Sequence, residues 1–151
     1  MSDDSYEKYE RACQSIKKEN DKLLDDFDQW LAEKGLSEKT IRRHLDNIGF
    51  YINSFLLSDD AIPAKQGASD VSMFLGYWFI RKAMWASPTS IRENAASLKK
   101  FYGFMHDRGH IDAEELQDLK QTIKDGMPGW IATVDRYDDP NITDMGEVWG
   151  L

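Results

Sequence analysis

Residues 37–55, which read SEKTIRRHLDNIGFYINSF, decide the fold. Apolar side chains recur in this stretch at intervals of three and four residues, namely Ile41, Leu45, Ile48, Ile52 and Phe55. This spacing lines one face of an α-helix, and a serine just before the first turn is a preferred N-cap. The stretch therefore predicts a helix over residues 37–57 that begins at Ser37 and buries one stripe against a core.

Residues 87–107, which read SPTSIRENAASLKKFYGFMHD, repeat this pattern with an offset of 50. The offset aligns Ile41 with Ile91, and it aligns Arg42 with Arg92. Ser87 is again a suitable cap, and proline is favoured in the first helical turn that follows it. The sequence therefore predicts a second helix of the same kind from Ser87 to about Asp107.

Three further segments have helical spacing. Residues 5–33 form one or two leading helices that stop at Gly35, and residues 71–85 form a helix that is apolar almost all round, with Asp70 as its cap. The third segment runs from Asp112 to Asp125. Because no segment alternates with the period of a strand, we expect an all-α bundle of four to five helices.

The segments between these helices are predicted to be irregular. Residues 58–68 contain two aspartates, a proline and a glycine, and they interrupt every periodicity. The pattern fails again at residues 126–129, which read GMPG, so residues 130–151 are predicted to be an extended tail. We therefore divide the chain into a leading helical extension (1–20), a helical domain (21–126) and an acidic C-terminal tail (127–151).

The charge is unevenly distributed along the 151 residues, whose formal net charge is −8. Residues 1–33 hold 10 acidic and 5 basic residues, residues 34–110 hold 7 and 11, and residues 111–151 hold 10 and 3. The middle of the chain is therefore basic, and this favours a phosphate-bearing partner. The alternative is that charges segregate by chance in a chain of this length.

Several classes of site are excluded by composition. A single cysteine, Cys13, rules out an intramolecular disulfide and a multi-cysteine zinc site. The three histidines lack the spacing of metal ligands, so we expect no metal and no other cofactor. No apolar run is long enough to span a membrane, and the first ten residues are acidic, unlike a signal peptide. The expected location is the cytoplasm.

Both repeated helices carry polar groups on the face opposite their apolar stripe. Helical-wheel geometry places Lys39, Arg43 and Asn47 on this face of the first helix. The equivalent face of the second helix carries Thr89, Glu93, Ser97 and Lys100. Basic and hydroxyl groups near helix N-termini suit phosphate binding. The alternative is that the serines are only caps and the charges form a solvated face.

Residues 23–41, LLDDFDQWLAEKGLSEKTI, and residues 87–111 carry motifs that resemble a known family. The motifs are G-L-S-x-x-T-I at the start of one helix, S-P-x-S-I-R at the start of the other, and F-Y-x-F-M-x-x-R-G-H-I after it. They resemble the N-terminal core-binding (SAM-like) domain of tyrosine recombinases, the phage-integrase family. The resemblance covers about residues 20–125.

The resemblance implies a SAM-like bundle that forms half of a clamp around double-stranded DNA, in proteins that perform DNA recombination and integration. It implies contacts to DNA from residues that match the two clamp helices. The candidates on the first helix are Lys39, Thr40, Arg43 and Asn47. The candidates on the second helix are Thr89, Ser90, Arg92, Ser97, Lys99 and Lys100. Most of these contacts would be to phosphates.

The sequence departs from this family in two respects. Catalysis in the family needs a second domain with basic residues and a tyrosine nucleophile, and Tyr137 beside Arg136 lacks such a constellation. We therefore expect no catalytic residue and no enzyme activity in this chain. Glu93 lies on the face where the family has a basic or neutral residue, and the acidic ends would repel phosphates near the cleft.

A second interpretation is a protein-interaction or regulatory domain that kept the fold without DNA binding. Its docking element would be residues 127–151, with Trp130 and Trp149 as anchors for a recombinase or another protein. The aromatic residues Trp78, Phe79 and Trp85 are predicted to be core side chains rather than stacking platforms for bases.

Overall fold

The computed structural model describes residues 3–137, and over this range the chain is helical with no strand. This confirms the all-α fold class. The α-helices are α1 (Asp3–Glu33), α2 (Glu38–Phe50), α3 (Val71–Met73), α4 (Phe79–Lys82), α5 (Pro88–Asp107) and α6 (Ala113–Tyr137). Two π-helical turns, Tyr51–Phe55 and Phe74–Trp78, extend α2 and join α3 to α4. A 3-10 helix covers Ala64–Asp70.

The leading segment forms one continuous helix, α1, that ends at a glycine. Gly35 has a φ of +83°, a conformation that glycine adopts without strain, and the amide of Leu36 donates to the carbonyl of Leu31. The part of α1 up to Asn20 is fixed to the segment that follows α2. Tyr9 Oη donates to the carbonyl of Leu57, and Asn20 Nδ2 donates to the carbonyl of Ile52 over 3.2 Å.

The caps that the sequence indicates for α2, α5 and α6 are present. Ser37 Oγ accepts from the amide of Thr40, and Ser87 and Ser90 form a reciprocal capping box at the start of α5. Asp112 Oδ1 accepts from the amide of Glu115 over 2.8 Å at the start of α6. α3 begins directly after Asp70, as predicted, but the Asp70 side chain makes no capping hydrogen bond.

The segment between α2 and α5 differs from its prediction. Residues 64–70 form a 3-10 helix instead of an irregular loop, and two buried tyrosines hold it in place. Tyr51 Oη donates to the carbonyl of Gly67 over 2.6 Å, and Tyr102 Oη donates to the carbonyl of Ala64 over 2.7 Å. The helical run that follows ends at Lys82, three residues before the predicted end at Trp85.

The prediction of an extended chain from residue 130 is wrong as far as the structure describes it, because α6 continues to Tyr137. The Trp130 side chain is buried between two glycines. A Cβ atom on Gly76 would lie 2.7 Å from Trp130 Nε1, and one on Gly126 would overlap the indole ring. Gly126 therefore makes room for a core side chain instead of ending the helix. Trp149, the other predicted docking anchor, lies outside the described residues.

The core joins the long helices to the central aromatic segment. Phe27 of α1 packs against Phe101 and Phe104 of α5, with ring centroids 5.3 and 5.4 Å apart. Phe74 packs edge-on against Tyr51 of the first π-helical turn. Because α2 and α5 are anchored from both sides in this way, the core fixes their mutual position and leaves their outer faces to solvent.

Candidate nucleic-acid interface

The N-terminal halves of α2 and α5, the two helices related by the repeat, pack against each other and form an open cleft of about 250 Å³. Its lining carries two arginine side chains, a threonine hydroxyl and one glutamate carboxylate. The lining residues are Arg43, His44, Thr89, Arg92, Glu93 and Ala96. The fold therefore brings together three of the predicted contact residues, Arg43, Thr89 and Arg92, from two helices that are distant in sequence.

A buried polar cluster lies beneath this cleft. Ser97 Oγ lies 2.8 Å from His44 Nδ1, and Asn47 Nδ2 donates to the same hydroxyl over 3.0 Å. Ser97 is fully buried, so its predicted exposure is wrong and it has no surface to offer a phosphate. Asn47 is half-buried and directs its amide inward to Ser97. Both residues hold α2 against α5.

Positive charge near the cleft affects the pKa of His44. Burial lowers the pKa of His44 below its ordinary value, and the charges of Arg43 and Lys100 lower it further. His44 is therefore neutral at pH 7. Lys100, a predicted contact residue outside the cleft lining, is close enough to act on the same imidazole, so a third basic side chain lies near the cleft.

The hydroxyl residues at the start of each helix form part of the caps. Thr40 Oγ1 accepts from Ser37 Oγ over 3.0 Å, and Ser90 Oγ accepts from the amide of Ser87 over 2.8 Å. Both side chains are half-buried. Of the predicted hydroxyl contacts, Thr89 is the one that is exposed and lines the cleft.

The remaining predicted residues, Lys39 and Lys99, are exposed but do not line the cleft. His44 is the residue that sequence analysis did not place in the site. Its spacing of three from Ile41 and four from Ile48 indicates a position at the edge of the buried stripe. The hydrogen bond to Ser97 depends on the packing of two helices, which the spacing within one helix does not show.

Two features are absent among residues 3–137. No group of three or more histidine, cysteine, aspartate or glutamate side chains in this range is placed to hold a metal ion. In the same range, no helix combines the length and the apolar composition of a membrane span. Cys13 is a half-buried residue of α1 and forms no disulfide.

No family model, curated protein or solved structure matches the chain. The described residues form an all-α domain. A basic cleft lies between two capped helices that share a sequence repeat.

Proposed function

We propose that this domain binds double-stranded DNA without cutting it, through the cleft between the N-terminal halves of α2 and α5. The observation that carries the proposal is the convergence of Arg43, Arg92 and Thr89 on one cleft, with Lys100 beside it. Guanidinium and ammonium groups neutralise phosphates, and this term dominates the affinity of proteins for duplex DNA.

The wider role that we propose is the clamp half of a SAM-like core-binding domain, as in the tyrosine recombinases that the sequence resembles. Two features support it. The repeated helices that carry the resemblance are also the two helices that form the cleft. The basic middle of the chain, residues 34–110, contains both of them.

Glu93 is the feature that limits the affinity. Its carboxylate shares the cleft with Arg43 and Arg92, and it offsets part of their charge. The acidic residues of α1 and α6 add a repulsive background. We therefore expect weak binding of generic duplex that weakens further as salt rises.

Fluorescence anisotropy with a labelled generic duplex tests the proposal, at low salt and at about 0.2 M salt. The test variant is Arg43→Glu/Lys100→Glu, which reverses the charge of one residue that lines the cleft and of one that lies beside it. The matched control is Lys120→Glu/Lys124→Glu, which makes the same charge change at exposed positions of α6. Circular dichroism confirms that each variant is folded.

The wild-type protein should bind at low salt, and the cleft variant should lose most of this affinity. If both replaced side chains contact phosphates, the slope of log K against log salt should become shallower by about 2 in the cleft variant. The control variant should keep the wild-type slope. No binding by the folded wild-type protein at low salt, or equal losses in both variants, would overturn the proposal.

A further inference from the structure

The turn between α4 and α5 exposes two large apolar side chains. Met84 is 99% exposed and Trp85 is 60% exposed. The prediction that Trp85 is a core residue is therefore wrong, whereas Phe79 is buried as predicted and Trp78 is half-buried. Exposed apolar residues that cluster at one place on a surface mark interaction sites.

Trp85 is held in position by the core while much of its ring faces solvent. One side of the ring packs against Phe50 and Phe79, with centroid distances of 5.6 and 6.2 Å. Its carbonyl accepts a hydrogen bond of 3.2 Å from Ser90 Oγ. The indole is therefore preorganised, and few additional rotatable bonds of the protein lose freedom when a ligand binds to it.

Basic residues flank this turn in sequence. Residues 71–92 contain three arginine or lysine residues and no acidic residue, and Glu93 follows directly. The Arg81 guanidinium lies over the Tyr77 ring, 5.4 Å from its centroid. Exposed aromatic and basic side chains in combination are the features with which proteins bind unpaired nucleotides, because bases stack on the rings and cations hold the backbone.

The turn is also continuous with the proposed DNA cleft. The Ser90 hydroxyl that binds the Trp85 carbonyl belongs to the first turn of α5, and the preceding residue, Thr89, lines the cleft. The turn is therefore linked to the cleft lining through the first turn of α5. Basic charge and this continuity favour DNA over an apolar protein partner at the turn.

We propose that the Met84–Trp85 turn contacts bases, and that a base exposed at a distorted or unpaired step of bound DNA stacks on Trp85. This inference rests on the proposed duplex binding and adds a preference for one class of duplex. Stacking tolerates any base, because each base has a π-face, so the preference is for DNA structure and not for sequence.

Two duplexes that differ only in a single unpaired thymine test this inference by anisotropy at low salt. The wild-type protein should bind the bulged duplex at least about five-fold more tightly than the perfect one. Trp85→Ala should bring this ratio to about one, and Trp85→Phe should keep most of the preference because it retains an aromatic face. The exposure of Trp85 makes unfolding of these variants unexpected, and circular dichroism checks it.

The outcomes separate the two proposals. Equal binding of both duplexes by the wild-type protein would overturn the base contact and leave duplex binding intact. No binding to either duplex would overturn both proposals. If Trp85→Ala leaves the ratio unchanged but abolishes self-association in sedimentation velocity, the turn is an interface between copies of the chain, and the base contact is wrong.

Discussion

His44 shows at the scale of one residue how the site is built. The imidazole is buried where α2 packs against α5, and its Nδ1 shares a hydrogen bond with Ser97 Oγ. The charges that shift its pKa, those of Arg43 and Lys100, are both positive. Burial and these cations oppose protonation, so the pKa of His44 is lower in the folded protein than in the unfolded chain.

This lowered pKa predicts a loss of stability in mild acid. As the pH falls below about 6.5, the unfolded chain binds a proton at His44 while the folded protein does not, so the free energy of unfolding decreases. The change ends once the pH falls below the folded-state pKa. Urea unfolding between pH 7.5 and 5.5 measures it, and His44→Asn should show a shallower dependence. Identical dependence in both proteins would contradict the assignment.

Helix α6 shows at the scale of one element where sequence patterns fail. Glycine and proline at residues 126–129 are typical of a helix end, yet α6 continues for two further turns. The helix continues because Trp130 and Val134 are buried in the core. Gly126, one turn earlier in α6, leaves the space that the Trp130 ring occupies, and the ring also packs against Gly76, a tertiary contact that no local pattern reveals.

Two alanine substitutions in α6 should have opposite signs. Alanine is favoured over glycine in a helix by about 1 kcal/mol, and Gly129 has open space around its Cα, so Gly129→Ala should stabilise the protein by about 0.5–1 kcal/mol. At Gly126 the added methyl would overlap Trp130, and overpacking should make Gly126→Ala destabilising by about 1–2 kcal/mol. Chemical denaturation measures both. Stabilisation by both variants would contradict the packing of Trp130.

The elements that sequence analysis predicted well are those with strong local signals. The starts of α2 and α5 follow from their capping serines, and the buried faces follow from the spacing of Ile41, Ile48 and Ile91. The π-helical turns and the 3-10 helix have no such signal. They depend on the packing of aromatic rings and on hydrogen bonds from Tyr51 and Tyr102.

At the scale of the whole molecule, the distribution of charge matters more than its total. A net charge of −8 indicates a poor partner for DNA, but the acidic residues lie mainly before residue 34 and after residue 110. The sequence predicted which residues could form a basic face, and the fold brings Arg43, Thr89 and Arg92 together at one cleft. It could not predict that Ser97 is buried or that Trp85 is exposed, because both follow from how the helices pack.

Mapping the DNA-binding surface by NMR tests the central claim most directly. Generic duplex is titrated at low salt into the ¹⁵N-labelled full chain, and the amide signals are followed. We expect the largest shifts in residues 38–47 and 87–100, with Arg43 and Arg92 among them, and we expect these shifts to reverse when salt is added. Shifts confined to α6 or to the N-terminal half of α1, or no shifts at a several-fold excess of duplex, would contradict the account.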